Sequence, residues 1–64
     1  MPVISISMHK VDDQIKADLI RRLTDTSVEV TGIPAEKFTV LISEMDDYNI
    51  GLGGKTLKEI KAAR

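Results

Sequence analysis

The sequence predicts a small α/β domain: a βαβ unit followed by a C-terminal β-hairpin, with its parallel strands completed by oligomerisation. Three observations support this class. Residues 2–9 alternate between apolar and polar positions, the stretch from about Asp12 to Thr31 has helical periodicity, and residues 38–45 are rich in β-branched and apolar side chains. Strand, helix and strand in this order predict two parallel strands joined by a right-handed crossover.

The first strand is predicted over residues 2–9. Ile4, Ile6 and Met8 share one face, and the opposite face is mostly polar, so the strand is expected to bury one side. Pro2 has the parity of the apolar face. As the first residue of the strand, it removes no donor from the interior of the hydrogen-bond ladder.

The helix has recognisable signals at both ends. Asp12 or Asp13 can act as the N-cap and places a negative charge at the positive end of the helix dipole. Apolar residues then recur at spacings of three and four up to about Thr31. Gly32 suits the left-handed position that follows a helix, and Pro34 prevents continuation.

The second strand is predicted over residues 38–45 and is expected to be more fully buried in its middle than the first. The polar stretch 46–49 marks a turn. Residues 51–54, with three glycines, predict a tight hairpin that uses positive φ angles. Residues 55–64 form a short amphipathic tail.

Length and composition restrict the possible classes of protein. The 64 residues are enough for a single domain, 1–64, whose own core is marginal because so small a fold buries only about 60% of its unfolded surface. There is no Cys and one His, so neither disulfides nor a metal site is expected to stabilise it. Two strands under one helix also leave sheet edges open. Oligomerisation is the remaining source of stability.

The charge pattern argues against two classes of partner. The net charge is −1 with both signs interspersed, whereas a nucleic-acid or anionic-membrane surface requires a basic excess. No apolar run approaches the roughly 20 residues of a membrane span, and no signal-peptide pattern is present. The expected location is the cytoplasm.

Three features occur together in this chain. Met1-Pro2 opens directly into a strand, one long helix follows, and the second strand ends in Ser43-Glu44-Met45 before Gly51-Leu52-Gly53-Gly54. In this combination the chain resembles the 4-oxalocrotonate tautomerase family, of the tautomerase superfamily, over essentially its full length. The resemblance implies a keto–enol isomerase that acts without a cofactor on an enol or unsaturated form of an α-keto acid. It also implies a homohexamer built as a trimer of dimers.

The resemblance makes the nitrogen of Pro2 the catalytic base once Met1 has been removed. A free α-amino group has a pKa of about 7.7–8.0, and burial against apolar side chains lowers it by disfavouring the ammonium form. A base whose pKa lies near the operating pH is efficient at taking a proton from the carbon beside a carbonyl. With Met1 still attached, the nitrogen would be an amide and could not act as a base.

The chain departs from the family pattern around that proline. The family has two arginines and an aromatic residue there. Here Val11 or Lys10, depending on the alignment, stands at the first arginine, Thr39 at the second, and Ile50 at the aromatic position. Lys10 and Lys37 are candidate replacement cations, although a solvated surface position is the commoner one for such residues. Without arginines to clamp it, a dicarboxylate should fit poorly, so a monocarboxylate is expected as substrate.

Three further features of the sequence are expected to be structural or solvated and not functional. Residues 54–56, Gly-Lys-Thr, end like a phosphate-binding loop, but Asn49 stands where the leading glycine is required. His9 is expected at the surface, and the carboxylates of Glu44 and of the following turn are expected to be solvated. The alternative function is a non-catalytic oligomeric scaffold or binding module that retains the fold.

Overall fold

A computed structural model describes residues 2–63, and it confirms the predicted order of strand, helix, strand and hairpin. The elements are β1 (Val3–His9), α1 (Asp13–Thr31), a 3₁₀ turn (Ala35–Lys37), β2 (Thr39–Met45), β3 (Gly51–Leu52), β4 (Lys55–Thr56) and α2 (Leu57–Ala62). The second strand begins one residue later than predicted, because Phe38 ends the 3₁₀ turn, where its N–H donates to Ala35 O at 3.1 Å.

The first two strands form a parallel pair, as predicted. Their register runs without a break from Val3 opposite Thr39 to His9 opposite Met45. The ladder continues one residue further at its amino end, where the Thr39 N–H donates to the carbonyl oxygen of Pro2 at 3.0 Å. The short strands β3 and β4 form a separate antiparallel pair.

Both predicted ends of α1 are confirmed. Asp12 is the N-cap: its Oδ1 accepts a hydrogen bond from the Ile15 N–H at 2.9 Å. At the other end Gly32 has a φ of 75° and donates its N–H to Val28 O at 2.8 Å, a left-handed termination that a residue with a Cβ adopts only with strain. Neither this helix nor any other in residues 2–63 has the length and apolar character needed to cross a bilayer.

The helix covers one face of the β1–β2 pair and leaves the other open. On the covered face Ile4, Ile6 and Met8 are half-buried, which confirms the predicted alternation. On the open face Val3 is 51% and Leu41 is 53% exposed. The prediction that β2 is more fully buried in its middle is therefore wrong for one chain, because a single helix has no second layer with which to cover Leu41.

The tail predicted over residues 55–64 contains a helix with a well-formed start. The Thr56 Oγ1 accepts from the Glu59 N–H at 3.1 Å, and Glu59 Oε1 accepts from the Thr56 N–H at 3.3 Å, a reciprocal capping box. The Leu57 N–H donates to Ile50 O at 2.7 Å, and the Lys58 N–H donates to a carbonyl of the turn after β2 at 3.2 Å. These bonds attach α2 to the segment that follows β2.

The single chain is elongated, and its residues 2–63 form no conventional core. It measures 45 × 23 × 15 Å, with a radius of gyration of 15.3 Å. A compact domain of this length would have a radius of gyration of about 11 Å. Throughout residues 2–63, no side chain reaches the degree of burial found in a protein interior. The apolar surface that a core would hide is still exposed in the single chain.

Candidate active site

Three of the predicted site residues lie at the amino-terminal end of the β1–β2 pair. Pro2 is half-buried directly before β1, and its carbonyl oxygen is bonded to the N–H of Thr39, the first residue of β2. Lys37 is exposed in the 3₁₀ turn just before β2, where its N–H donates to Pro34 O at 3.0 Å. The parallel register therefore brings Pro2, Lys37 and Thr39 to one end of the sheet.

The other two predicted site residues lie elsewhere. Lys10 directly follows β1, eight residues from Pro2, which at about 3.3 Å per residue separates them by roughly 26 Å. Ile50 follows the turn that leaves the same, carboxyl-terminal end of β2. One chain does not bring Lys10 together with Pro2. Only a second copy can bring a Lys10 side chain close to this Pro2.

A cleft of about 410 Å³ opens at the carboxyl-terminal ends of β1 and β2. It is lined by the strand ends, by the turn at residues 46–48 and by one face of α2, and its lining includes Lys10. His9 also lines the cleft and is exposed, in agreement with the surface position expected for it.

The cleft also contains groups that the sequence analysis missed. The Lys58 Nζ lies 5.7 Å from the centroid of the Tyr48 ring, and the Lys61 Nζ lies 3.1 Å from Asp47 Oδ2. The sequence does contain a capping box at the start of α2, and this motif predicts where the helix begins. Because residues three apart lie on the same face of a helix, it also predicts that Lys58 and Lys61 lie side by side.

Glu44 is bonded rather than solvated, which corrects the expectation from sequence. Its Oε1 lies 2.9 Å from Lys16 Nζ, its Oε2 accepts from the Val11 N–H at 3.1 Å, and its side chain is 26% exposed. The carboxylate thus ties β2 to both α1 and the loop that carries Lys10. The turn carboxylate of Asp46 is also bonded, since its Oδ1 accepts a backbone N–H at 3.0 Å.

Glu44 and Lys16 each stabilise the charged form of the other. The hydrogen bond from Lys16, followed by that from the Val11 N–H, lowers the pKa of Glu44. The hydrogen bond to Glu44, followed by that to Asp13, raises the pKa of Lys16. Both groups therefore remain ionised over a wider pH range than in water, and the loop that carries Lys10 is held by a charged acceptor.

Comparison with known proteins shows to which family the chain belongs. The family model described as tautomerase enzyme matches residues 2–60, so the match begins at Pro2. A protein of Campylobacter jejuni described as a probable tautomerase is 30% identical over 64 residues, covering 97% of this chain and 94% of its own. The 2-hydroxymuconate tautomerase of Bacillus subtilis is 32% identical over 63 residues, covering 95% of this chain and all of its own.

The solved structures give the same result for the fold. TomN, a 4-oxalocrotonate tautomerase homologue of the tomaymycin biosynthetic pathway, superposes with a TM-score of 0.91 at 27% identity, covering 95% of each chain. These relatives support an enzyme of the tautomerase, hence isomerase, class, and they give no support to the alternative of a non-catalytic scaffold. The chain belongs to the tautomerase family and has the fold of the 4-oxalocrotonate tautomerases.

Proposed function

We propose that the chain is a cofactor-independent keto–enol tautomerase for an α-keto acid in its enol or unsaturated form. The amine of Pro2 is its general base, after removal of Met1. The observation that carries the proposal is the position of Pro2, half-buried at the head of β1 with its backbone held by Thr39, in a chain whose family match starts at this residue. Met1 lies outside the described residues, and the proposal requires its removal.

The chemistry needs only a base that can take up and return one proton. The secondary amine of Pro2 accepts the proton from the enol hydroxyl or from the carbon beside the carbonyl, and returns it to another atom of the conjugated system. Removing an amine from water favours its neutral, basic form. The enolate that forms between the two transfers is stabilised by nearby cations or hydrogen-bond donors. No electrons or atoms are lost, as an isomerisation requires.

We infer that the active site is completed in a homo-oligomer, a hexamer arranged as a trimer of dimers. The elongated single chain, its exposed apolar sheet face and the separation of Lys10 from Pro2 all support this assembly. In it, the carboxyl-terminal end of one chain supplies Lys10 and Ile50 to the Pro2 of another. Lys37 and Thr39 come from the amino-terminal end, beside Pro2.

Substitution of Pro2 tests the base directly. Pro2→Ala leaves a primary amine with more rotational freedom, and kcat/KM should fall by about 10²-fold or more, within the 10²–10⁴-fold range of general-base catalysis. An N-terminal extension that converts the nitrogen to an amide should have the same effect. Proteolytic removal of that extension, verified by mass spectrometry, should restore activity in the same preparation. Full turnover by the extended protein would show that Pro2 is not the base.

Substrate charge tests the replacement of the family arginines. With Thr39 at one of those positions and either Lys10 or Val11 at the other, the site lacks a guanidinium that could clamp a second carboxylate. We expect kcat/KM for a monocarboxylate enol to exceed that of the matched dicarboxylate. Thr39→Arg should shift the ratio towards the dicarboxylate, whereas Thr39→Ser should not. A wild-type preference for the dicarboxylate that survives removal of both Lys10 and Lys37 would show that the recognition residues have been misassigned.

A further inference from the structure

The cleft at the carboxyl-terminal ends of β1 and β2 has the size and charge to hold a small anion. Its volume of about 410 Å³ lies within the range of roughly 300–1,000 Å³ that is usual for small-molecule sites. Its lining contains three lysines and two aspartates, so one positive charge is in excess when His9 is neutral. This balance favours an organic acid over a cation.

Of the three lysines in the cleft lining, Lys61 is already paired with a carboxylate. Asp47 is paired with Lys61 at 3.1 Å, and Asp46 accepts a backbone N–H of its own turn at 3.0 Å. Among residues 2–63, no carboxylate lies within the 4.0 Å of an ion pair from the ammonium group of Lys10 or Lys58. The excess positive charge is therefore carried by these two side chains.

Lys58 is held in position by an aromatic ring. Its Nζ lies 5.7 Å from the centroid of Tyr48, inside the limit of about 6 Å for a cation–π contact. Its backbone N–H also donates to Asp47 O at 3.2 Å, so both the main chain and the side chain of Lys58 contact the turn at residues 46–48. A side chain that is already ordered loses less conformational entropy when it binds a ligand.

We propose that Lys10 and Lys58 together bind the carboxylate of a small monocarboxylic acid in this cleft, with the Tyr48 ring positioning Lys58. The two ammonium groups act as compact charges and donors, neither of which offers the two-pronged geometry of a guanidinium. Asp46 forms no ion pair among residues 2–63, so its negative charge leaves the cleft lining with a net charge of +1, which favours one carboxylate over two. Lys58 is thus a specificity-determining residue that adds to the predicted Lys10.

That this acid is the substrate rests on the proposed function, whereas the binding site does not. Lys10 lies roughly 26 Å along the strand from Pro2 of its own chain. A molecule held in the cleft would therefore react at the Pro2 of a second copy. Binding of an unreactive acid requires neither that Pro2 nor the removal of Met1, so it can be measured separately from turnover.

Titration of the assembled protein with phenylacetate, monitored by NMR or calorimetry, tests the site. Phenylacetamide is the matched probe without the charge, and it should bind much more weakly. Lys10→Ala and Lys58→Ala should each raise the Kd for phenylacetate by roughly two- to fivefold, as expected for exposed charge pairs, and the double variant by more. Salt at about 1 M should abolish most of the difference between acid and amide.

Two control variants separate this site from a general effect of charge. Lys55→Ala removes the same charge from β4, outside the cleft lining, and should leave the Kd unchanged. Tyr48→Phe keeps the ring and should bind as the wild type does, whereas Tyr48→Ala should resemble Lys58→Ala. An unaltered Kd in the Lys10 and Lys58 variants overturns this site and leaves the role of Pro2 intact. Full turnover in Pro2→Ala overturns the base and leaves this site intact.

Discussion

At the scale of single residues, Glu44 shows how one side chain positions a distant part of the molecule. It belongs to β2, yet its two oxygens bind the Lys16 side chain and the Val11 N–H, so it connects three segments. Because Val11 directly follows Lys10, the carboxylate also holds the backbone beside Lys10, a residue of the cleft lining. A hydrogen bond to an ionised acceptor is roughly twice as strong as a neutral one, which suits this role.

Replacing Glu44 should produce a pH-dependent loss of stability. The pKa of Glu44 is lowered in the folded state, so the unfolded chain binds more protons, and the stabilisation is present at neutral pH and lost as the pH falls. Glu44→Gln should therefore lower the unfolding temperature at pH 7, and its difference from wild type should shrink between about pH 5 and pH 3. Glu29→Gln, on an exposed face of α1, is the control. The same pH profile for both variants would contradict this role.

At the scale of elements, the β3–β4 hairpin depends on the backbone freedom of two glycines. Gly53 and Gly54 have φ values of 60° and 84°, and two consecutive positive angles are what a two-residue hairpin turn requires. A Cβ added at either position would meet no atom within 4 Å, so the cost of a side chain there is conformational rather than steric. The turn closes the loop that leads back to α2 and the cleft.

Substitutions in this hairpin should differ according to backbone angle. Gly54→Ala should lower the free energy of unfolding by about 1–2 kcal/mol, the cost of a left-handed conformation with a Cβ. Gly53→Asn should cost much less, because asparagine is favoured at the first turn position. Gly51→Ala is the control, since its φ is not positive and its Cβ would lie 3.6 Å from Lys55 O, an ordinary contact. Denaturant unfolding at one fixed protein concentration measures all three, and equal losses would contradict the assignment.

The elements also show what a sequence can and cannot predict. Both ends of α1 were predicted correctly because Asp12 and Gly32 act on backbone groups within four residues of themselves. Phe38 was placed in β2 because its apolar character resembles that of a strand, whereas the 3₁₀ turn before it is decided by local backbone bonds. The approach of Tyr48 to Lys58 joins a turn to a helix, and no local periodicity predicts such a contact. Pro2 is predicted from a family motif that lies in the sequence itself, whereas the proximity of Lys58 to Tyr48 is visible only in the folded chain.

At the scale of the whole molecule, the single chain exposes more solvent-accessible surface than a folded monomer of the same mass. Its accessible surface is 4958 Å², whereas a monomer of 7.1 kDa is expected to expose about 4,100 Å². The excess lies partly on the open face of the β1–β2 pair, where Val3, Leu41 and Met45 are 51%, 53% and 37% exposed. Contact with other copies would bury this face and would bring strand ends of different chains together.

A charge placed on the open sheet face should therefore disrupt assembly and activity together. Leu41 lies in the middle of β2 on that face, and burying a leucine contributes about 1.5–3 kcal/mol, which Leu41→Lys forfeits while adding a charge that resists burial. At micromolar concentration we expect the wild type to sediment as a hexamer, and the variant as smaller species with reduced kcat/KM, because Pro2 loses the residues that other copies supply. Val30→Lys changes an apolar residue of α1 that is 79% exposed and serves as the control. A folded wild-type monomer, or a Leu41→Lys protein of unchanged mass and activity, would contradict both the interface and the composite site.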